Sequence, residues 1–307
     1  MITLKAIYDK SVCQYQKKRY MVAARMIKKT KPLQPGANPF AVLSMVHRRD
    51  IFPYLVAIKS FSQHADPAQI IVVCDPSTRL RDRVLLQRHI PHLALHDAKE
   101  FHHPDLPVGG TWERLHAISH YTKQTYVVQL DSDTLTLKTP MAVLDGVRAN
   151  TGFVIGEEVS QSLMTLTQTS IRSSQLHAHF DHVQCVFEAN INQAELPEQS
   201  MYVRGCSGFT GFPKTDLMQQ DLLDLSRRMR KLLQTRWADW GTEQVASNYL
   251  IANAQGTSPL PFPDYGTPDV IHENSAFIHF IGSMRFKNKL YRQTTKRSLR
   301  HLIATQH

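Results

Sequence analysis

Residues 126–137 read Tyr-Val-Val-Gln-Leu-Asp-Ser-Asp-Thr-Leu-Thr-Leu, and the rest of the chain is organised around them. Tyr126, Val127, Val128 and Leu130 are aromatic, β-branched or aliphatic, with Gln129 the one polar interruption. Such a run predicts a strand buried on both faces. It ends in Asp131-Ser132-Asp133. Residues two apart on an extended chain point the same way, so both carboxylates can approach one ion. Like charges that close raise each other's pKa or recruit a cation. Oxygen ligands suit a hard divalent metal, magnesium or manganese, which then bridges phosphate oxygens. Two surface acids opening a turn are the bland alternative, and the buried strand ahead of them favours the ion.

Outward from this stretch, the first half alternates strands and helices. Ala41-Val42-Leu43-Ser44-Met45-Val46 and Ile70-Ile71-Val72-Val73-Cys74 read as buried strands. Helices are expected at 51–61, with Asp50 as N-cap, at 78–88 and at 111–122. Strand–helix–strand–helix–strand is the pattern of a parallel sheet covered by helices on both faces, an α/β fold. Ligands of such sheets bind beyond the carboxyl ends of the strands, where Asp131, Asp133, His47 and Asp75 fall. The second half is more mixed. Strands are expected at 152–156, 205–213 and 277–282, and helices at 215–234 and from 237 to 253. Residues 160–200 are polar, read as helical in part, and are hard to place.

The chain of 307 residues carries a net charge of +10, unevenly spread. Residues 1–30 hold eight Lys or Arg against Asp9 alone, and residues 283–307 hold seven and no acid. The remainder is net −4. Residues 1–36 are therefore read as a basic amphipathic helical arm, with a helix over 3–28 whose stripe is Leu4, Ile7, Tyr8, Val12, Tyr15, Val22 and Met26. Residues 37–285 form the main domain and 286–307 a basic C-terminal arm. Two cationic ends on a near-neutral body suit an anionic surface, such as the inner face of a membrane. No RNA-stacking aromatic module is visible, so nucleic acid is not expected as a partner. Cys13, Cys74, Cys185 and Cys206 have no zinc-ribbon spacing. With no signal-peptide pattern and no membrane span, the expected location is cytoplasmic, with peripheral membrane contact.

Four features stand in order: the first-half sheet, Asp131-Ser132-Asp133, Trp240-Gly241-Thr242-Glu243-Gln244, and His279-Phe280-Ile281-Gly282-Ser283-Met284-Arg285. Together, over about residues 40–290, they resemble the GT-A fold glycosyltransferases, nearest to the glycogenin-like and lipopolysaccharide-galactosyltransferase-like enzymes. That resemblance implies a Rossmann-like mixed sheet, mostly parallel, and a sugar moved from a nucleotide-diphosphate donor, a UDP-sugar, to a hydroxyl acceptor on a glycan or lipid. It implies Mn²⁺ or Mg²⁺ held by Asp131, Asp133 and His279. The family's His-x-x-Gly-x-x-Lys-Pro-Trp appears here with His279 and Gly282 kept, Arg285 for the Lys, and Phe286-Lys287 for Pro-Trp. Arg114, Ser207, Gly208, Gly282 and Arg285 fall where the family contacts the donor. Glu243 is the candidate base or sugar-orienting carboxylate, with Asp239 second. Trp237 and Trp240 are read as packing residues.

Two other readings compete. His177-Ala178-His179-Phe180-Asp181-His182 spells the His-x-His-x-Asp-His of metallo-β-lactamase-like zinc hydrolases. No hydrophobic strand precedes it, and the next histidine is His272. A catalytically inactive GT-A-like binding protein is the other alternative.

Overall fold

The computed structural model describes residues 4–156, 161–176 and 180–304. Helix α1 (Leu4–Ala24) runs into a 3-10 turn at Arg25–Lys29. Next come β1 (Asn38–Val46), α2 (Ile51–Ala65), β2 (Pro67–Cys74), α3 (Leu80–His89), β3 (Ala94–Asp97), α4 (Trp112–Tyr121), β4 (Tyr126–Leu130) and β5 (Thr134–Thr136). The second half continues with α5 (Met141–Ala149), β6 (Phe153–Ile155), β7 (Met164–Thr165), α6 (Leu166–Leu176), α7 (Val183–Asn190), β8 (Met201–Tyr202) and β9 (Cys206–Phe212). It closes with α8 (Met218–Leu233), α9 (Thr242–Ala252), β10 (Ser258–Pro259), β11 (Tyr265–Gly266), β12 (Phe277–His279) and α10 (Leu290–Ala304).

Seven strands form the main sheet in the order β10-β6-β9-β4-β1-β2-β3. Only β9 runs against the others. This is the mostly parallel, Rossmann-like sheet that the alternation predicts. The two faces bury different residues of the same strands. Phe40, Val42 and Val46 of β1, with Tyr126, Val128 and Leu130 of β4, face one core. Ala41, Leu43 and Met45, with Val127, face the other. A strand that buries both faces needs consecutive apolar residues, each contributing about 1.5–3 kcal/mol for a full-sized side chain.

Three pairings place the corner after β4. Leu130 of β4 lies beside Phe209 of β9, and the Asp131 N–H bonds the Gly208 carbonyl at 2.8 Å. The short β5 then pairs antiparallel with β12, setting Thr134 opposite His279. The Phe280 N–H closes this ladder on the Asp133 carbonyl at 2.8 Å. A residue 146 positions downstream thereby reaches the Asp131–Asp133 corner.

Several expectations change. The β3 and β5 strands escape the sequence reading: β3 is a half-buried edge, and β5 is three residues long. The strand expected over 277–282 ends at His279. Residues 160–200, read as helical in part, include α6 and α7. Asp50 makes no side-chain cap bond at the start of α2 and instead faces Arg285 at 3.7 Å. Helix α1 buries Tyr20, Ala23 and Ala24, while Tyr15 and Val22 of the expected stripe are exposed. The basic ends are in contact with the body. The linker is pinned to it by Leu33 N–H to the His89 carbonyl and Asn38 N–H to the Asp66 carbonyl. Tyr291, Leu299 and Leu302 of α10 share the core with Tyr20 and Ile27. No helix among the described residues is long and apolar enough to cross a membrane.

Candidate metal centre

Among the described residues, Asp131, Asp133 and His279 form a cluster whose potential ligand atoms all lie within 4.8 Å of one another. His279 Nε2 stands 3.3 Å from Asp133 Oδ1 and 4.0 Å from Asp131 Oδ2. Two carboxylates and one imidazole are a donor set that fits Mn²⁺ or Mg²⁺. The imidazole has room only because residue 208 is glycine. A Cβ there would sit 2.1 Å from His279 Cε1. The other ring nitrogen, Nδ1, meets the Cys206 thiol at 3.2 Å.

The two carboxylates have separate partners. Asp131 is bonded by Arg114, whose other amino group spans both Glu243 oxygens at 3.1 and 3.2 Å. Asp133 is bonded by Arg285, whose guanidinium also reaches the Phe280 carbonyl at 3.4 Å. Burial opposes ionisation of Asp133, yet His279 and Arg285 outweigh it and hold the carboxyl down at about 2. Burial likewise pushes His279 toward the neutral form, but Cys206 and Asp133 outweigh it and raise its pKa well above the usual histidine range.

Arg114 and Glu243 come from the first turns of α4 and α9 and are both buried. Burial raises the Glu243 pKa against the pull of Arg114. Burial would lower Arg114, but Glu243 and Asp131 raise it. An arginine does not give up its proton in a protein, so Arg114 brings a fixed positive charge to this contact. Thr111 adds a hydroxyl to Glu243 Oε2 at 3.0 Å, from a φ of +73° that a β-branched residue rarely adopts. Ser207 Oγ stands 3.5 Å from the same oxygen.

The structure thus brings Arg114, Asp131, Asp133, Ser207, Gly208, Glu243, His279 and Arg285 into one connected group. Gly282 is exposed, with φ +43°, and turns the chain between His279 and Arg285. Glu243, the candidate base or sugar-orienting carboxylate, has both oxygens in contact with Arg114. Asp239 is not in the group; its carboxylate pairs with Arg236 at 3.2 Å. Sequence reading missed Thr111, Cys206 and Asp50. Only Cys206 carried a signal, as the neighbour of Ser207-Gly208 on β9. Of the histidine-rich motif, His177 and His179 lie outside the described residues. Asp181 pairs with Arg236 at 2.9 Å, and His182 Nδ1 accepts the Gln184 N–H at 3.3 Å as the cap of α7. Trp237 is buried as expected, but Trp240 is 78% exposed.

At the carboxyl ends of β1 and β2, a cavity of about 620 Å³ is lined by His47, Arg48, Arg49, Asp75 and Arg81, with Arg25 from the turn after α1, and by none of the cluster residues. Another cavity, about 550 Å³, is walled by Phe212, Met218, Leu225, Arg228 and Tyr249. None of the cluster residues lines it.

No family model matches the chain, and no curated protein matches it. Solved structures do. The bifunctional glycosyltransferase WbbM is 13% identical with a TM-score of 0.50, over 87% of this chain and 53% of that one. The glycosyltransferase GlyE of Streptococcus pneumoniae TIGR4 is 13% identical with a TM-score of 0.50, over 88% of this chain and 63% of that one. The chain therefore spans less than two thirds of either protein. At such identity the likeness is one of fold, and the fold is of the GT-A type.

Proposed function

We propose that the protein is a metal-dependent glycosyltransferase of hexosyltransferase type, using a UDP-sugar and Mn²⁺ or Mg²⁺. The observation that carries this reading is the Asp131–Asp133–His279 cluster at the carboxyl edge of a GT-A sheet. A bound divalent cation would neutralise charge developing on the departing diphosphate. Arg285, already at the edge of the cluster, offers a planar cation suited to a phosphate oxygen. The basic cavity at the carboxyl ends of β1 and β2 is the space proposed for the nucleotide. Glu243 and Arg114, acting as a bonded pair next to Ser207, orient the sugar. The spacing His279-x-x-Gly282-x-x-Arg285 supports kinship with the glycogenin-like and lipopolysaccharide-galactosyltransferase-like enzymes.

The acceptor is proposed to be a glycan or lipid-linked hydroxyl at an anionic membrane on its cytoplasmic side. Exposed Lys17, Lys18, Arg25, Lys28 and Lys29 near the start, and Lys287, Lys289, Arg297 and Arg300 near the end, support a charged contact. Tyr291 is buried, and Phe286 and Leu290 pack against the core, so attraction there rests on charge. Such contact should vanish at high salt in co-sedimentation with phosphatidylglycerol vesicles.

The decisive experiment is a thermal-shift and calorimetric titration with UDP, with and without Mn²⁺. A ligand present at a hundred times its Kd and bound only by the folded chain adds about 2.7 kcal/mol of stability. Stabilisation by UDP only with the metal supports the reading. No response to any nucleotide diphosphate, with or without metal, would sink it.

A further inference from the structure

The three tryptophans have contrasting surroundings. Trp112 and Trp237 pack against each other at 5.2 Å and are almost fully buried. Their indole N–H groups are satisfied, by Thr242 Oγ1 at 3.1 Å and Ser226 Oγ at 2.9 Å. Trp240 lies three residues from Trp237 and is 78% exposed. An indole left in water forgoes the burial of a large apolar face.

The turn that carries Trp240 is fixed on every side. Arg236 bonds Asp239 at 3.2 Å, the Asp181 carboxylate at 2.9 Å and the Asp181 carbonyl at 2.8 Å. Thr242 Oγ1 donates to the Asp239 carbonyl at 2.9 Å. Gly241 supplies the φ of +105° that turns the chain into α9. The His182 ring stands at 84° to the indole, 6.0 Å away. The same Thr242 receives the Trp112 N–H, and the helices meeting there carry Arg114 and Glu243. A rigid, exposed aromatic ring is thereby tied to the two helix starts that grip the Asp131 side of the cluster.

We propose that Trp240 is the stacking platform for a pyranose ring of the acceptor; this rests on the glycosyltransferase reading and names the acceptor's chemistry. A pyranose offers an apolar C–H face edged by hydroxyls. The indole matches the face. His182, Arg236, Asp181 and Asp239, polar and grouped around the turn, match the edge. The polar side chains of this turn, Asp181, His182, Arg236 and Asp239, suit a hydroxyl-edged ring, and exposed Phe180 beside Asp181 adds a further apolar surface.

With two tryptophans buried, the exposed indole can be read separately by acrylamide quenching. The full chain is titrated with the methyl glycosides of galactose, glucose, mannose and N-acetylglucosamine, in the presence of UDP and Mn²⁺. At least one should shield the exposed indole saturably. Trp240→Ala should weaken its binding at least tenfold by calorimetry, while Trp240→Phe keeps it within a few-fold. UDP binding in the same samples checks the fold. The proposal is overturned if no glycoside changes the quenching, or if Trp240→Ala binds equally well. It is also overturned if the indole becomes shielded with rising protein concentration alone, which assigns it to self-association. Loss of metal-dependent UDP binding in the unaltered chain would instead sink the glycosyltransferase reading, and sugar shielding at Trp240 would survive that result.

Discussion

Asp131 and Asp133 stand two residues apart and are held by different parts of the chain. Asp131 is 30% exposed and leans on a buried Arg114–Glu243 pair from the starts of α4 and α9. Asp133 is almost fully buried and is held by His279 and Arg285, which follow one another at the far end of the chain. One side is a preformed ion pair that fixes geometry. The other faces a histidine and an arginine that a cation and a phosphate can engage. A symmetric-looking Asp-x-Asp is thus asymmetric in structure, and removing its two halves should not be equivalent.

The sharpest way to break this comparison is Asp133→Ala against Asp131→Ala. Loss of Asp133 removes a buried ligand and leaves His279 and Arg285 without their shared carboxylate. Metal-dependent UDP binding should fall more than about 100-fold, beyond the effect of losing an outer-shell partner. Asp131→Ala should cost less, since that carboxylate is partly solvated whereas Asp133 is buried. Calorimetry with Mn²⁺ decides. Equal losses would show that the two carboxylates act alike.

The Asp131 side is tested through stability. Glu243→Gln leaves the Arg114 guanidinium with Asp131 as its one anionic partner. Removing one member of a buried pair costs about 3 kcal/mol, because the other charge stays desolvated. Urea unfolding should show this loss, and Arg114→Met with Glu243→Leu together should recover much of it. If Glu243→Gln unfolds like the unaltered chain, the pair does not hold the two helices.

How much of this was legible beforehand follows from range. The β4 strand and its two carboxylates were readable because six or seven consecutive residues carried the pattern. The order Asp-x-Asp, Glu243, His279, Arg285 was readable through resemblance. The Arg114–Glu243 pair was not, because nothing local marks two helix starts 129 residues apart as neighbours. The α1 stripe failed for another reason. Helical spacing picked Tyr15 and Val22, whereas Tyr20 stacks at 4.0 Å on Tyr291. Only the partner helix α10 decides which face is covered.

Acid should also destabilise the fold, because burial disfavours the charged form of His89 and, in the same direction, of His64, His92 and His116. Burial, helped by Lys59 and Arg88, lowers the His89 pKa to about 4, and its Nδ1 has no hydrogen-bond partner. The unfolded chain takes up this proton near pH 6.5 and the folded chain only near 4, so stability falls as pH drops through that interval. At pH 5 the loss is about 2 kcal/mol. His89→Leu should lose less between pH 7 and pH 5 by urea midpoint. An identical loss in both proteins would place the acid sensitivity elsewhere.

The smallest expected effect is at Cys206, and it tests how the Asp133 side orients its histidine. The thiol meets His279 Nδ1 at 3.2 Å, and Nε2 faces Asp133. A metal-binding imidazole is oriented by whatever bonds its other nitrogen. Cys206→Ala removes that partner, and Gly208 beneath the ring cannot replace it. Mn²⁺ binding in the presence of UDP should weaken about tenfold, at the low end for outer-shell partners. Cys206→Ser, whose hydroxyl can make the same bond, should restore most of it. Recovery by serine separates orientation from mere packing, since alanine and serine fill nearly the same space. If the alanine variant binds Mn²⁺ as tightly as the unaltered chain, the ring is oriented by Asp133 and the closeness of Gly208 alone.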